Sequence, residues 1–587
     1  MFEWIERCQE LYRILDLFAG AGGMSLGFRQ TGKFEVAVAI EKNENAMGTY
    51  KINHGSSFES EKWPSDILGV DFKNLKDQYG DIDVVVGGPP CQGFSNANRQ
   101  KNHIVSLNNG LVKKYVEAIL SLQPKAFVME NVRMLKSETH RFFSSQNDCL
   151  EIERLGISKR KEEIILSKGE SPLSDIETFF CDKEIVNELV LTDSTFHLLR
   201  TFYKNSFDTA KRSKTLATKG KKCLQLLARI PKRSEVVSST YVDLENSAID
   251  SCRKYVNGKI GFAEAAPSID SYIEIQKILK GSKELFDNNI IIDKAIFDST
   301  GIRVETSSYS VVEYLSKSLG EHYNIADGVL NAAWYGAPQT RERYISLGIS
   351  KKLKVLPRLP DPKYKPSAYR TVSDAIKDLE SIEPSFDVEK APLEVKPLQI
   401  ASRLSSSLRD SELLFNHVVT ETRETALKRF ESLKPGQNFH DLDWTLIENT
   451  YTSPEKTQNS IYLRLDYDKP CGTVTNVRKS MWIHPTLNRA ISIREAARLQ
   501  TFPDSFVFVG SKDSQYQQVG NAVPPIMAKA IADVLAEIMQ CSEQEADYPD
   551  GSFDQATTKP YDVQDKREEY QAGISCKELS SPKRISV

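Results

Sequence analysis

One cysteine lies in a turn whose composition favours a reactive thiol. The segment GGPPCQGFS places Cys91 directly after the apolar run at residues 83–86. Its two glycines allow an unusual backbone and its two prolines fix the direction of the chain. Most free cysteines are small buried apolar residues, but ligands of open α/β sheets bind at the carboxyl ends of parallel strands. We therefore interpret Cys91 as a candidate nucleophile.

Charged residues follow two other predicted strands. Glu130 comes after the run at residues 125–129, which places it on the same sheet edge as Cys91. A carboxylic acid beside a thiol nucleophile can donate a proton to a substrate nitrogen. Arg341 and Arg343 are two residues apart in an extended segment, so both should project to one face and suit a polarised carbonyl or a phosphate. The alternative for all three is an ordinary surface charge. For Glu130, the edge that it shares with Cys91 favours a site, and for the two arginines the spacing alone leaves both interpretations open.

A glycine-rich turn and a distant carboxylate favour a ligand that carries a ribose. Gly20 and Gly22 follow the predicted strand at residues 13–19, and Glu41 ends the strand at residues 34–40. A carboxylate about twenty residues past such a turn can accept hydrogen bonds from ribose hydroxyls. The turn contains no phosphate-binding lysine. A second turn at Gly520 and Asn521, before the helix predicted for residues 524–539, offers backbone N–H groups and an amide.

The elements that must position these residues are those of an α/β protein. Residues 13–140 alternate short apolar runs with helical patterns, which predicts a parallel sheet with helices on both faces. Residues 137–320 contain ragged helical patterns and few clean strands. Within them, residues 200–233 hold eleven Lys and Arg against one acidic residue. The α/β pattern returns at residues 323–349, and residues 351–460 are proline-rich and irregular.

Taken in order, these segments resemble the DNA (cytosine-5)-methyltransferase family. DLFAGAGGMSLGF is similar to the cofactor turn of that family, GGPPCQGFS to its catalytic cysteine motif, ENV to its glutamate motif and YGAPQTRER to its arginine motif. DKPCGT, REAARLQTFP and QQVGNAVPP resemble its last segments. The resemblance covers roughly residues 1–140, 320–390 and 460–540, in the unpermuted order of the bacterial enzymes.

The resemblance implies a Rossmann-like S-adenosylmethionine-dependent methyltransferase sheet, a smaller target-recognition lobe and a large, mainly helical insertion. Cys91 would add to C6 of a cytosine that is flipped out of double-stranded DNA, and Pro90 would help to position the base. Glu130 would contact N3 and the N4 amino group. Arg341 and Arg343 would hold the base carbonyl and the Cys91 loop. The loop at residues 93–105 would close over the DNA.

The resemblance also implies the residues that hold S-adenosylmethionine. Glu41 would bind the ribose, and Asp66 and Ile67 the adenine. The remaining positions of the predicted pocket are Phe18, Gly20, Gly22, Leu111 and Asn521. Because Asn521 belongs to this pocket, the helix at residues 524–539 should pack back on the amino-terminal sheet.

The motifs divide the chain into six segments. The catalytic domain comprises residues 1–140, 321–350 and 501–540, and residues 351–500 form the small lobe. Residues 141–320 are an insertion, which departs from the family pattern, and residues 541–587 are a disordered tail. The basic stretch of the insertion could contact DNA phosphates or could be a solvated helical face.

Composition excludes several other classes of protein. The chain has 587 residues, 77 Lys and Arg, and 80 Asp and Glu, so its net charge is −3. No run approaches the length of an apolar membrane span, and the amino terminus does not resemble a secretory signal. Nine scattered cysteines without a CxxC pair favour a reducing, cytoplasmic setting and give no support to a zinc site. Near-neutral charge is compatible with DNA binding, since a local basic stripe is enough.

We therefore predict a DNA (cytosine-5)-methyltransferase that acts as a monomer in a restriction–modification system, with a partner endonuclease acting separately. An RNA cytosine methyltransferase of the same family is an alternative, although the long segments between the motifs favour DNA. A catalytically silent DNA-binding relative is the other alternative. Transfer to an exocyclic amino group is disfavoured, because Cys91 stands where those enzymes need an aromatic residue after Pro-Pro.

Overall fold

The structure is a computed structural model that describes residues 11–55, 58–90, 109–136, 141–395, 402–448 and 454–547. The strands are β1 (Tyr12–Leu17), β2 (Phe34–Ile40), β3 (Val84–Gly87), β4 (Ala126–Val132), β5 (Arg141–Phe143), β6 (Lys159–Ile165), β7 (Lys294–Asp298), β8 (Gly301–Ser310), β9 (Tyr323–Asn331), β10 (Glu342–Ser350), β11 (Leu393–Glu394) and β12 (Leu413–Leu414).

The α-helices follow in chain order: α1 (Gly23–Arg29), α2 (Glu44–His54), α3 (Phe72–Tyr79), α4 (Asn109–Leu122), α5 (Cys149–Arg154), α6 (Lys183–Leu189), α7 (Asp193–Phe207), α8 (Thr209–Thr215), α9 (Lys221–Leu227), α10 (Ser239–Val256), α11 (Phe262–Asp287), α12 (Val311–Gly320), α13 (Val372–Ile376), α14 (Arg403–Leu408), α15 (Glu424–Ser432), α16 (Val477–Ser480), α17 (Ile493–Leu499), α18 (Lys512–Asn521) and α19 (Pro525–Asp547). None of the described helices is long and apolar enough to cross a membrane. The described residues form two compact units: a larger unit within residues 11–90, 110–136 and 319–547, and a smaller unit of residues 141–318.

The larger unit is built on a six-stranded sheet in the order β2-β1-β3-β4-β10-β9. Strands β1 to β4 run parallel, as the alternating pattern predicts. Strand β10 is antiparallel to both β4 and β9, so β9 runs in the same direction as β1 to β4. The sequence predicts a parallel sheet for residues 13–140 and gives no direction for β10. The short connection at residues 332–341 allows β9 and β10 to pair only in opposite directions.

Helix α19 closes the core of this sheet. Its apolar residues share one hydrophobic cluster with Ile14 of β1, Val84 of β3 and Ile345 of β10. Gly27 of α1 allows the helices to approach closely, because a Cβ atom there would lie 2.4 Å from the Pro525 carbonyl oxygen. The predicted packing of the carboxyl-terminal helix on the amino-terminal sheet is confirmed. The helix continues to Asp547, beyond the predicted start of disorder at residue 541, and residues 548–587 lie outside the described part.

A second hydrophobic cluster in the larger unit joins Val372 and Val418 to α17, α18 and Ala21 of the glycine turn. Beside this cluster, the buried guanidinium of Arg498 donates to Asp504 at 2.6 Å and to Asp378 at 2.6 Å. Buried charges of this kind are stable only when they are paired and hydrogen-bonded. The boundary predicted at residue 500 falls inside this cluster.

The smaller unit has a core of its own, formed by helices α6, α7, α9, α10 and α11 and by apolar residues of its sheet. The mainly helical character of residues 141–320 agrees with the sequence prediction. The sequence analysis missed a four-stranded antiparallel sheet, in which β8 pairs with β5, β6 and β7. Strand β8 alternates buried and partly exposed residues, but its many Ser and Thr residues hide that period from an apolar pattern.

Candidate active site

The glycine turn leaves β1 at the carboxyl edge of the parallel strands. Phe18, Gly20 and Gly22 have φ angles of 59°, 56° and 91°, so the chain turns sharply before α1. A Cβ atom at Gly22 would lie 2.3 Å from His54 Nε2, whereas one at Gly20 would meet no atom within 4 Å. Packing therefore requires glycine at position 22, while the backbone at position 20 borders open space that a ligand can use.

Two carboxylates lie along the same edge. Glu41 follows β2 and accepts hydrogen bonds from the backbone N–H groups of Gly20 at 2.9 Å and Asn43 at 2.7 Å. Asp66 accepts from Lys42 Nζ at 2.7 Å, and this contact lowers the pKa of Asp66. Ionised carboxylates are acceptors for the hydroxyl and amino groups of a nucleoside. The open backbone at Gly20 and the two carboxylates fit the nucleoside part of S-adenosylmethionine.

The other predicted cofactor residues differ in their surroundings. Ile67 is buried, and Leu111 is half-buried in the first turn of α4. Asn521 is exposed at the end of α18 and accepts a hydrogen bond from Gln517 Nε2 at 2.8 Å. The predicted turn at a helix start is therefore wrong for Asn521, because α18 continues through it. A Cβ atom on Gly520 would lie 2.4 Å from the Thr475 carbonyl carbon, so this glycine serves close packing.

Glu130 and Arg343 form an ion pair across neighbouring strands. Arg343 Nε lies 2.8 Å from Glu130 Oε1, and the two side chains are 15% and 13% exposed. Strand β4 extends to Val132, so Glu130 lies within the strand rather than after its end as predicted. The ladder between β4 and β10 pairs Glu130 with Ile345. The strand pairing brings the two charged groups together.

The segment that leads to Cys91 is held beside this ion pair. A Cβ atom on Gly88 would lie 2.8 Å from Glu130 Oε2, so glycine lets the backbone pass over the carboxylate. Asn131 Nδ2 donates to the Pro89 carbonyl oxygen at 3.0 Å. Pro90 is half-buried and ends this described segment. Cys91 and the predicted closing loop at residues 93–105 lie outside the described residues.

Arg341 and Arg343 have different partners, although the spacing predicts a common face. Arg341 is 1% exposed and donates to the carbonyl oxygens of Val474 at 2.8 Å and Gly520 at 3.1 Å. Burial lowers the pKa of Arg341 below its ordinary value. Arg341 therefore joins its own segment to the segments that contain Val474 and Gly520. Its contact with a base carbonyl stays a prediction. Arg343 is the arginine that meets Glu130.

A buried acid beneath the glycine turn was missed by the sequence analysis. Asp16 is 2% exposed and accepts hydrogen bonds from Ser25 at 2.6 Å and Tyr50 at 3.2 Å. Burial raises the pKa of Asp16 to about 7, against the effect of these hydrogen bonds. The acidic residue before the turn was visible in the sequence, but its burial depends on Tyr50 of α2, which only the fold brings there.

Asp16→Asn should remove a pH-dependent cost of folding. In the unfolded chain Asp16 ionises near its ordinary pKa of about 3.9, whereas in the folded chain it stays protonated up to about pH 7. The folded state therefore binds the extra proton, and wild-type stability falls as pH rises from about 4 to 7, by at most about 1.4 kcal/mol for each pH unit. Urea unfolding at several pH values should show that the free energy of unfolding of the variant, relative to that of the wild type, rises between about pH 4 and pH 7 and becomes constant above that range. A difference that is constant with pH would contradict this result.

The larger unit is a Rossmann-like methyltransferase fold. Its sheet is mostly parallel, and the glycine turn and the carboxylates of Glu41 and Asp66 lie at the carboxyl ends of the parallel strands. The chain belongs to the C-5 cytosine-specific DNA methylase family, whose model matches residues 12–153 and 307–537.

Several relatives match most of the chain. The type II methyltransferase M.DdeI of Desulfomicrobium norvegicum is 25% identical over 542 residues, which cover 89% of this chain and 88% of that protein. The DNA (cytosine-5-)-methyltransferase M.ApeKI of Aeropyrum pernix is 25% identical over 556 residues, with 90% and 99% covered. A solved structure of a putative prophage DNA modification methyltransferase from E. coli is 19% identical, covers 90% of this chain and 99% of its own, and has a TM-score of 0.48.

Proposed function

We propose that this protein transfers a methyl group from S-adenosylmethionine to C5 of a flipped-out cytosine in a specific double-stranded DNA sequence. The observation that carries the proposal is the Glu130–Arg343 ion pair, held against the backbone that leads from Gly88 to Cys91. The names of the type II relatives support a place in a restriction–modification system.

The residues at the glycine turn would hold the cofactor. Glu41 would accept from the ribose hydroxyls and Asp66 from the adenine, while Phe18, Gly20, Ile67 and Leu111 would supply the surrounding surface. When bound, S-adenosylmethionine supplies a methyl group on a sulfonium, which is an electrophile. Asn521 is exposed at the end of α18, and its amide would contribute once Gln517 releases it.

Cytosine C5 needs activation, and Cys91 would provide it. The thiolate adds to C6, and the electron pair of the C5–C6 bond moves toward N3, where Glu130 donates or shares a proton. C5 would then bond to the methyl carbon while the carbon–sulfur bond of the sulfonium breaks, and the electron pair of that bond would stay on the sulfur of the departing thioether. Transfer of the C5 proton to water would restore the C5–C6 double bond and expel the Cys91 thiolate, and N3 would return its proton to Glu130. Flipping the base out of the duplex costs a few kcal/mol, as in methyltransferases generally.

Arg343 would keep the Glu130 carboxyl aimed at the base. An arginine at 2.8 Å fixes one carboxylate oxygen, which leaves Oε2 toward the Gly88 backbone and the incoming base. Arg341 would act at a distance, because it joins the arginine segment to the carbonyl groups of Val474 and Gly520. It is a positioning residue in this mechanism.

Covalent trapping tests the proposal directly. A duplex carrying 5-fluorocytosine should form a stable adduct, because fluorine at C5 blocks the loss that releases Cys91. Bisulfite sequencing of DNA from cells that make the protein should give the methylated motif. Transfer RNA serves as the comparison substrate: methylation of transfer RNA alone would replace DNA by RNA in the proposal, and absence of both adducts and methylation with intact Cys91 would overturn it.

The protein is proposed to act as a monomer, with a separate endonuclease as its partner. Light scattering of the protein with and without a target duplex measures its mass and therefore its oligomeric state. A mass corresponding to two chains on one duplex would contradict the proposed monomer.

A further inference from the structure

The charges of the smaller unit are segregated. Residues 141–318 contain 27 Lys and Arg and 26 Asp and Glu, so they are close to neutral as a whole. Eleven of those cations and only one of those carboxylates lie in residues 200–233. This stretch therefore carries a charge of +10, while the rest of residues 141–318 carries −9. Segregation of this size produces a strong local potential on a unit without net charge.

The basic stretch folds into α7 and into a continuous helix made of α8, a single π-helical turn at Leu216–Gly220, and α9. Along the continuous helix the buried residues are Thr215, Gly220, Cys223 and Leu227. They are three or four residues apart except at the π turn, where Thr215 and Gly220 are five residues apart. The two helices pack against each other, since Gly220 faces Phe202 of α7. Most basic side chains of residues 200–233 are exposed, whereas Arg233 is 6% exposed and paired with Glu245.

Most of these cations lack a carboxylate partner. Among the described residues, no ion pair or side-chain hydrogen bond is found for eight of the eleven: Arg200, Lys204, Lys214, Lys219, Lys221, Lys222, Arg229 and Lys232. All but Lys219 are exposed. The other three are occupied: Lys211 by Asp208, Arg233 by Glu245, and Arg212 by the Ser206 carbonyl.

Elsewhere in the same unit unpaired lysines are scattered: among the described residues Lys161, Lys168, Lys183, Lys259 and Lys294 are exposed and have no ion pair, but they lie apart along the sequence. Four other lysines have carboxylate partners. Lys254, Lys277, Lys283 and Lys317 each form an ion pair with a carboxylate three or four residues away. Such pairs are the usual arrangement of a solvated helical face. What distinguishes residues 200–232 is that eight unpaired cations, among the described residues, lie close together with a single carboxylate, Asp208. Such a cluster is poorly explained as a solvated surface, because its cations repel one another without compensation.

We propose that this basic face, defined as Arg200, Lys204, Lys214, Lys221, Lys222 and Arg229, is a docking surface for the phosphate backbone of duplex DNA. The choice of partner rests on the proposed function, in which duplex DNA is the substrate. The helix from Thr209 to Leu227 is roughly 28 Å long, which corresponds to about eight base pairs of duplex. Lysine and arginine without neighbouring carboxylates contact phosphates independently of sequence.

The test uses the full-length protein and a duplex of about 30 A·T base pairs, which offers no cytosine to the active site. The face variant carries Lys214→Gln, Lys221→Gln, Lys222→Gln and Arg229→Gln. The control variant carries Lys254→Gln, Lys277→Gln, Lys283→Gln and Lys317→Gln. Both variants lose four positive charges, and glutamine keeps a helix propensity similar to that of lysine. Thermal unfolding checks that both are folded.

We expect the face variant to bind the A·T duplex at least about tenfold more weakly at about 50 mM salt. The slope of log affinity against log salt should become shallower by about 0.9 for each phosphate that the variant no longer neutralises. The control variant should keep the wild-type slope. Turnover of the face variant on saturating target duplex should stay within about twofold of wild type, because saturation hides a loss of backbone affinity.

Three results would overturn the docking surface. An unchanged slope in the face variant would make the face a solvated surface, and equal losses in both variants would show an effect of net charge alone. Weaker binding of transfer RNA with unchanged duplex binding would make it an RNA surface. If the wild type fails to methylate any duplex while the face variant still loses A·T duplex affinity, the proposed methylation fails and the docking surface stands.

Discussion

Cys91→Ser is expected to lower kcat by at least about 10⁴-fold, the scale on which loss of a covalent nucleophile acts. Serine keeps the size of the side chain, but its hydroxyl is far less ionised and far less nucleophilic than a thiol near neutral pH. Because the residues proposed for the cofactor lie on the glycine turn and along the edge of β2, S-adenosylmethionine should bind the variant with nearly wild-type affinity. Steady-state kinetics and calorimetric titration of the cofactor measure the two effects separately.

Cys181→Ser is the matched control, because Cys181 is an exposed free cysteine in the smaller unit. This variant should retain wild-type turnover and should still be trapped by a 5-fluorocytosine duplex, whereas Cys91→Ser should form no adduct. Turnover of Cys91→Ser within about tenfold of wild type would refute the nucleophile assignment. Loss of trapping in Cys181→Ser would move the nucleophile to the smaller unit.

Glu130→Gln should lower kcat by about 10²- to 10⁴-fold, which is the usual range for loss of a general acid or base. The amide keeps the shape of the side chain and can still contact an amino group, but it cannot give a proton to N3. The change also leaves Arg343, 15% exposed, without its carboxylate. We therefore expect kcat to fall while the KM for S-adenosylmethionine changes little, because Glu130 lies outside the residues proposed for the cofactor.

Glu342→Gln provides the comparison for that variant. Glu342 begins the same strand as Arg343 and pairs with Arg133 at 2.6 Å, but the two side chains are 37% and 61% exposed. Exposed ion pairs contribute little, so Glu342→Gln should leave kcat unchanged. If both variants lose activity equally, charge on this edge matters in general, and the assignment of Glu130 as the acid is wrong.

The sequence predicts strands β1 to β4 of the sheet well, because each is a short apolar run that lies between a glycine turn and a helical pattern or between two helical patterns. The motifs also locate Glu130 and Arg343, since both lie where predicted strands meet an edge. The roles of Arg341 and Asn521 could not be inferred in this way. The spacing of residues in an extended segment predicts only the direction of a side chain relative to its own strand. It does not predict the partners of Arg341, because Val474 and Gly520 are more than a hundred residues away in the sequence.

The antiparallel sheet of the smaller unit and the buried Asp16 show the same limit. In β8, buried and partly exposed residues alternate as they should in a strand. Many of these residues are Ser or Thr, so the sequence does not show the alternation of apolar and polar residues by which a strand is predicted. The burial of Asp16 arises from α2 packing over the turn, which no local pattern contains. Contacts that are distant in sequence decide these features, whereas local composition decides the rest.

The position of α19 has a consequence for synthesis of the protein. The helix begins at Pro525, yet its apolar face covers strand β1, which ends at Leu17. At translation rates of about 5–20 residues per second, the amino-terminal strands wait roughly 25 to 100 s for their cover. Residues 141–318 complete their own core long before that. During synthesis the smaller unit should therefore fold first, and the methyltransferase fold should close only when the ribosome has passed α19.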